Sequence, residues 1–306
     1  MIYPMNLIEF EKKFGTEKTC REYLFKLKYK EGYKCEHCGC SGYWIVKGII
    51  IVCKSCRRKY NLMAGTIFQD THKPLSMWFR AIWWITSQKN GTSALGLQRI
   101  LGIRSYKTAW TWLHKLRVAM VRPGRDKLKG TVEVDETFIG GKQTGKKRGR
   151  GTDNKVLVAI AIEIDGKKLG RVRFGVIPNS SSESLEGFLE KAVEKGSTVI
   201  TDGWCGYSRV KKLGYRHKVS EKRIKDTGDQ MLPNAHLVIS LLKRWIMGTL
   251  QGSLSEQHME YYLDEYTFRF NRRTSVSRGK LFYRLVEQAA EIKPVIYDEI
   301  KGRKGA

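Results

Sequence analysis

The sequence predicts the α/β fold class, with an α/β domain that follows a cysteine-rich module and a basic helical module. Three observations predict this fold class: two CxxC cysteine pairs near the N-terminus, a basic segment whose apolar residues recur at helical spacing, and apolar and polar residues that alternate as in strands from residue 131 onward. The 306 residues amount to about two average domains, which is enough to bury hydrophobic cores.

The charge of the chain is strongly positive. Lys and Arg number 57 against 30 Asp and Glu, so the net charge is +27. Residues 71–129 contain one acidic side chain, Asp126, and have the highest positive charge density. Because hydrophobic residues make up 41% of the chain, we expect a folded protein rather than a disordered basic tail. A folded cation of this kind attracts polyanions, so nucleic acid is the expected partner.

The sequence gives no sign of a membrane span or of export. It contains no run of about 18 apolar residues, and its first residues lack the apolar segment of a signal peptide. Its seven cysteines are odd in number and clustered, which argues against a disulfide framework. We therefore expect a cytoplasmic, nucleoid-associated protein with no membrane partner.

The cysteine-rich module follows two short predicted helices, over residues 7–14 and 19–27. It contains two CxxC pairs separated by fourteen residues: Cys35 and Cys38, then Cys53 and Cys56. Four thiolates complete the tetrahedron of a structural Zn²⁺ and leave no open coordination site. Two neighbours, His37 and Cys40, are close enough in sequence to replace a ligand, and four buried reduced cysteines are the alternative to a metal site.

The stretch between the cysteine pairs alternates like a β-hairpin. Residues 43–52 (YWIVKGIIIV) have two apolar arms that meet at Lys47-Gly48, where a turn is expected. A hairpin between two cysteine knuckles is typical of a zinc ribbon.

The basic segment after this module predicts three helices, over residues 75–87, 94–101 and 106–120. A short turn at Gly102 separates the second from the third, which is the pattern of a helix-turn-helix. In that interpretation residues 105–108 face bases or phosphates in the major groove. The predicted DNA contacts in this module are Arg104, Lys107, Lys115 and Arg117. A plain helical bundle with a solvated basic face is the alternative, and Trp110 and Trp112 fit either core or contact positions.

The segment from residue 131 predicts three strands, a helix and a fourth strand. The strands span residues 131–138, 156–164, 169–177 and 198–201, and Ser181 or Ser182 caps the helix between the last two. This order is typical of an RNase H-like domain, in which the first and fourth strands are neighbours. Asp135 on the first strand and Asp202 at the end of the fourth are then brought together. Two carboxylates at one place suit Mg²⁺, although each Asp alone also fits a cap or turn.

Four long segments resemble the ISXO-type bacterial insertion-sequence transposases and occur in the order of that family. They are VEVDETFIGG, TDGWCGY, HLVISLLKRWIMGTLQGS and YLDEYTFRFNRRTSVSRGKLFYRL. Those proteins have a zinc ribbon followed by a DDE-type transposase domain, and the resemblance extends from the cysteine module to about Leu285. It implies a retroviral-integrase-like, RNase H-like catalytic domain.

The resemblance also implies a third active-site residue on a helix after Asp202, with a lysine seven residues later. His236 and Lys243 have this spacing, so the implied catalytic set is Asp135, Asp202, His236 and Lys243. The resemblance implies Mg²⁺ or Mn²⁺ as the catalytic metal. Histidine is a softer and weaker ligand for Mg²⁺ than the usual glutamate, which favours Mn²⁺, weaker binding of a second metal, or a role through a water or a substrate phosphate. The rival Asn234 breaks the spacing, and three glutamates downstream are further substitutes: Glu256, Glu260 and Glu265.

The function implied is that of a DNA transposase with an Asp-Asp-His site. It binds terminal inverted repeats, cleaves the transposon ends and joins the 3′-hydroxyl to target DNA, as a homo-oligomer on DNA and without a nucleotide cofactor. Arg272 and Arg273 are further expected DNA contacts. The alternatives are a non-catalytic DNA-binding protein and a nuclease that cuts without joining. The predicted domain bounds are 1–30 (helical lead-in), 31–68 (zinc ribbon), 72–122 (helix-turn-helix), 130–290 (transposase domain) and 291–306 (basic tail).

Overall fold

The computed structural model describes residues 3–140, 155–166, 168–220, 232–251 and 254–302. In these residues the regular elements are α1 (Leu7–Phe14), α2 (Glu17–Lys28), β1 (Tyr43–Val46), β2 (Ile50–Cys53), β3 (Lys59–Asn61), α3 (Leu75–Ser87), α4 (Ala94–Leu101), α5 (Tyr106–Ala119), β4 (Thr131–Ile139), β5 (Val156–Asp165), β6 (Lys168–Val176), α6 (Ser182–Ala192), β7 (Thr198–Thr201), β8 (Arg216–Val219), α7 (Pro233–Leu250), α8 (Met259–Phe270), α9 (Arg278–Glu291) and α10 (Tyr297–Gly302). The chain divides into two compact units. The first contains Met1–Arg122 with Ser275–Lys301, and the second is centred on Pro123–Thr274.

The cysteine module of the first unit is a three-stranded antiparallel sheet in the order β1-β2-β3. The predicted hairpin is present and pairs Val46 with Ile50 at its end. Its turn contains Lys47 with φ 52° and Gly48 with φ 70°, two consecutive left-handed residues of the kind that close tight hairpins.

The helices of the first unit enclose an aromatic core. Phe10 and Phe79 both contact the ring of Phe282, which α9 contributes, at centroid distances of 5.1 and 5.7 Å. Trp112 of α5 stacks on Trp78 of α3 at 3.8 Å, so Trp112 is a core residue. Helix α9 packs on α2, α3 and α5.

The structure differs from the domain boundary predicted at residue 290. Residues 275–301 belong to the first unit, because α9 buries its apolar face among α2, α3 and α5. The predicted basic tail differs as well, since its described part includes α10, whose Ile300 is fully buried.

The second unit is built on a five-stranded sheet in the order β6-β5-β4-β7-β8. Strands β4, β5 and β6 are antiparallel neighbours, while β4, β7 and β8 run parallel. The pairing of β4 with β7 confirms that the strand of Asp135 lies beside the strand that leads to Asp202.

The two faces of this sheet are covered by different helices. Val132 and Val134 of β4 pack with α6 residues such as Leu185 on one face. Side chains alternate along a strand, so Glu133 and Asp135 point to the other face, where α7 and α8 pack. In the part of the chain that the structure describes, no helix combines the length and apolar character needed to cross a membrane.

Candidate active site and cysteine centre

The four cysteines of the two CxxC pairs converge on one point. Their sulfur atoms lie within 4.8 Å of one another, with Cys35 Sγ 3.6 Å from Cys56 Sγ and Cys38 Sγ 3.5 Å from Cys53 Sγ. Thiolates that share a tetrahedral Zn²⁺ at about 2.3 Å are about 3.8 Å apart, so this donor set fits zinc.

The backbone shapes both cysteine pairs in the same way. The amide of Gly39 donates to Cys35 O, the amide of Arg57 donates to Cys53 O, and both donors have a left-handed φ, 71° and 60°. The Oη atom of Tyr60 lies 3.4 Å from Cys35 Sγ, and this hydrogen bond lowers the pKa of the Cys35 thiol. Within the described residues, the cluster contains neither His37 nor Cys40, whose sulfur instead accepts from the amide of Gly42 at 3.3 Å.

Asp135 lies in the middle of β4, and its side chain is only 14% exposed. Its Oδ1 accepts from the amide of Glu136 at 2.9 Å, and its Oδ2 is 3.5 Å from His236 Nε2. Burial raises the pKa of Asp135, and the carboxylates of Asp202 and Glu133 raise it further, while Glu136 N–H and His236 lower it. A carboxylate that burial and like charges destabilise is well suited to bind a cation.

Asp202 is positioned by the parallel pairing of β4 and β7. The observed register pairs Thr131 with Thr198 and Glu133 with Ile200. The observed pairing ends there, two residues before Asp135 on β4 and two before Asp202 in the chain. The amide of Trp204 donates to Asp202 Oδ1 at 3.0 Å, which holds the carboxylate at the start of the turn after β7.

His236 and Lys243 lie on one face of α7, two helical turns apart. The His236 side chain is 45% exposed. Burial lowers the pKa of Lys243, as does the neighbouring Lys155, while Asp135 raises it, so the Lys243 ammonium group lies within electrostatic range of the acidic cluster.

The structure brings Asp135 and His236 together, with Asp202 at longer range. Among the described residues, only the cysteines form a group of three or more ligand atoms within 4.8 Å of one another. Asp202 interacts with Asp135 electrostatically, and it belongs to no such group.

The other candidates for the third active-site residue have different surroundings. The Asn234 amide group donates to Glu133 Oε1 at 2.7 Å, and Glu265 is buried and paired with Arg269 at 2.7 Å. Glu256 lines a cavity of about 600 Å³ together with Phe138 and Lys155.

Two supporting carboxylates of β4 were not anticipated from the sequence. Glu133 accepts hydrogen bonds from the start of α7, and Glu136 Oε2 accepts from the Tyr207 hydroxyl at 2.6 Å. Burial raises the pKa of Glu136, and Asp135 and Asp202 add to this rise. The alternation of the strand could have placed Glu133 on the face of Asp135, but no local signal points to its partners.

The predicted DNA contacts of the first unit differ in exposure. Arg104 and Lys107 are exposed, and the Lys107 ammonium group lies 3.9 Å from the centre of the Tyr297 ring. Lys115 is half-buried, and burial lowers its pKa. The prediction for Arg117 is wrong, because this residue is 2% exposed and its Nη1 lies 3.3 Å from Nε2 of the buried His114.

The two arginines after α8 contact the protein itself. The Arg272 guanidinium lies over the Phe268 ring and that of Arg273 over the Phe270 ring, both at 4.1 Å. Arg273 also donates to the carbonyl groups of Leu169, Gly170 and Phe270, so it ties the end of α8 to β6.

Comparisons with known proteins agree with the resemblance. Residues 127–271 match the ISXO2-like transposase domain. The chain is also 24% identical over 281 residues to an uncharacterized protein in the transposable element ISH50 of Halobacterium salinarum, and the alignment covers 84% of this chain and 92% of the relative. Residues 127–271 are thus similar to ISXO2-like transposase domains, and the resemblance of the chain to ISXO-like insertion-sequence transposases is confirmed.

Proposed function

We propose that the chain is the transposase of an insertion sequence, which binds the terminal inverted repeats, cleaves the transposon ends and joins them to target DNA. The observation that carries this proposal is the 3.5 Å contact between Asp135 and His236, beside the strand end that leads to Asp202. This acidic cluster lies inside the matched transposase domain and within electrostatic range of Lys243.

The second unit is proposed to have an RNase H-like fold. Three antiparallel strands, a helix and a strand parallel to the first support this assignment. In such a fold the first and fourth strands are neighbours and carry the two carboxylates, and the pairing of β4 with β7 supports this assignment for Asp135 and Asp202.

Asp135, Asp202 and His236 are the proposed ligands of catalytic Mg²⁺ or Mn²⁺. Two ligands of one Mg²⁺ at right angles are about 3 Å apart, and the 3.5 Å between Asp135 Oδ2 and His236 Nε2 fits such sharing. Divalent ions held by these residues would activate the attacking oxygen and stabilise the leaving oxygen of a phosphodiester. Lys243, two helical turns from His236 on the same face of α7, is the proposed contact for the phosphate of the reacting strand.

The reaction has two steps that need no nucleotide cofactor. Water first hydrolyses a phosphodiester at the transposon end, breaking the bond to the 3′ oxygen and releasing a 3′-hydroxyl. This hydroxyl then attacks a target phosphodiester and displaces a target 3′ oxygen, so that one bond forms as another breaks. Because two ends are joined to one target, a homo-oligomer on DNA is part of the proposal.

The first unit is proposed to bind the transposon ends through a zinc ribbon and a helix-turn-helix. The four converging sulfurs support the zinc ribbon, and the sharp turn between α4 and α5 supports the helix-turn-helix. Gly102 makes this turn with a φ of 61°, a left-handed conformation that suits glycine. Of the predicted contacts in this unit, Arg104 and Lys107 are exposed, which supports their proposed role as phosphate contacts.

One observation favours a second candidate, a DNA-binding protein without catalysis. Asp202 forms no ligand group within 4.8 Å with Asp135 and His236 among the described residues. A chain with this arrangement but no metal-dependent reaction would bind the inverted repeats and stop there.

The proposal is tested by incubating the purified chain with labelled end DNA, target DNA and Mg²⁺ or Mn²⁺. We expect nicked ends and joined products from the wild type, and neither from Asp135→Asn or Asp202→Asn. Asp165→Asn is the matched control, because Asp165 is exposed at the end of β5. Unchanged cleavage by Asp135→Asn contradicts the proposed site, and nicked ends without joined products indicate a nuclease.

A further inference from the structure

The N-terminus of α7 is capped by a residue from another element. The helix starts after Leu232, which makes no side-chain cap, and Pro233 has no amide hydrogen to offer. The Glu133 carboxylate of β4 takes this place, since Oε2 accepts from the amide of Ala235 at 3.0 Å and Oε1 accepts from the Asn234 side chain at 2.7 Å. A carboxylate at a helix N-terminus is also favoured by the helix dipole.

The position of Glu133 is costly for a residue that only caps a helix. Glu133 is 7% exposed, and its two carboxylate oxygens accept one hydrogen bond each from the start of α7. A buried carboxylate is destabilising unless its oxygens are satisfied, and the hydrogen bonds to Glu133 come from two donors of α7. Asp135 lies two residues further along the same strand face, so the two negative charges also repel each other.

A second helix in the chain is capped in the same way without this cost. Helix α3 starts after Pro74, and Glu17 of α2 accepts from the amides of Leu75 and Ser76 at 3.0 and 2.8 Å. Glu17 is 28% exposed and paired with Arg21 at 3.0 Å. Capping from another element therefore requires neither burial nor a position beside a second carboxylate.

What distinguishes Glu133 is its relation to the reacting groups. Strand β4 contacts the first turn of α7 at two adjacent points, Glu133 with Ala235 and Asp135 with His236. We propose that Glu133 is a positioning residue, which anchors the first turn of α7 on β4 and so sets the distance between His236 and Asp135. The role in catalysis rests on the proposed function, because it is the transposase reaction that needs these two side chains together.

The experiment compares Glu133→Ala and Glu133→Gln with the matched pair Glu17→Ala and Glu17→Gln in the full chain. Glutamine keeps an acceptor for the Ala235 amide, and the Asn234 amide group can turn to pair with it. Three quantities are measured: the cleavage rate at saturating end DNA, the dissociation constant for that DNA, and hydrogen exchange across residues 233–240. Thermal unfolding of each variant reports the general loss of stability.

We expect Glu133→Ala to lower the cleavage rate by about 10- to 100-fold, since a shift of about 1 Å in a reacting group has this effect. The dissociation constant for DNA stays unchanged, and exchange across residues 233–240 becomes faster. Glu133→Gln recovers a large part of the rate and of the protection. Glu17→Ala lowers thermal stability but changes neither the cleavage rate at saturating DNA nor exchange in α7.

Three outcomes overturn the inference. They are an unchanged cleavage rate in Glu133→Ala, unchanged exchange across residues 233–240, and an equal loss of rate in Glu17→Ala, which would assign the effect to general stability. If Glu133→Ala does not fold, a Glu133→Gln variant that is no more active than Asp135→Asn overturns it as well. A wild-type chain that cleaves no end DNA contradicts the proposed function instead, and the exchange measurement still tests the anchor.

Discussion

The cysteine centre and the acidic centre are two candidate metal sites built in opposite ways. The cysteines come from one short stretch, and two similar turns bring all four sulfurs within 4.8 Å. The acidic centre draws Asp135 from β4, Asp202 from the end of β7 and His236 from α7, elements that only the tertiary fold brings together. A closed site made locally suits a structural ion, whereas an open site assembled at a distance suits reacting groups.

The largest effect should follow from opening the closed site. Cys53→Ser removes one of four ligands, and we expect loss of bound zinc and unfolding of the cysteine module, because structural zinc contributes about 10–16 kcal/mol to the folding of small modules. Zinc content and circular dichroism measure this. Cys40→Ser is the control. Because Cys40 lies outside the cluster, this variant should retain one zinc per chain. A zinc-free wild type that remains folded would break the comparison.

A ligand exchange at the open site should have a smaller effect and change its metal preference. His236→Ala is expected to lower the cleavage rate at least about 10-fold, since even substitutions of residues that only hydrogen-bond to a metal ligand have effects of this size. His236→Glu supplies a harder oxygen ligand, so the ratio of activity in Mg²⁺ to activity in Mn²⁺ should rise. A ratio equal to that of the wild type in a well-folded His236→Glu chain would exclude His236 as a metal ligand.

The comparison also separates DNA binding by the first unit from chemistry in the second. Arg104→Ala removes an exposed cation, and we expect it to bind end DNA more weakly. The slope of the logarithm of the binding constant against the logarithm of the salt concentration should become smaller by about one. Bound DNA should be cleaved at the wild-type rate. Binding measured over a range of salt concentrations tests this. The control is Arg117→Ala, which should lower stability but leave the salt dependence unchanged, because Arg117 is buried.

The smallest effect concerns the support behind the open site. Tyr207→Phe removes the hydroxyl that donates to Glu136, with an expected loss of about 1–3 kcal/mol in the free energy of unfolding. Tyr283→Phe is the matched control, since the buried Tyr283 hydroxyl has no hydrogen-bond partner among the described residues. Equal free energies of unfolding for the two variants, measured in denaturant, would show that the Glu136 contact contributes nothing.

Local elements were predicted well because their signals are local. Apolar periods predicted α3 and α4 with the bounds that the structure has, and strand alternation predicted β4 to β7 within one or two residues. The same patterns could not assign α9 to a unit, because an amphipathic helix does not reveal which core it covers. The predicted contact of Arg117 overlooked its helical position four residues after the buried Leu113.

The sequence predicted the candidate ligands of the acidic centre but not the residue that supports them. The strand order predicted that Asp135 lies near Asp202, and the motif spacing of the family that the chain resembles predicted His236 and Lys243. Glu133 was missed, because a cap supplied by a strand about a hundred residues earlier leaves no mark in the sequence around α7. Only contacts in the folded chain reveal such a residue.

The central claim is that Asp135, Asp202 and His236 together hold the divalent ion on which DNA cleavage depends. Crystals of the chain with end DNA, soaked in Mn²⁺, test it through anomalous scattering. We predict a manganese peak within bonding distance of both carboxylates and of His236 Nε2, in addition to a zinc peak among the four cysteines. A zinc peak at the cysteines without any manganese at the carboxylates would contradict the claim.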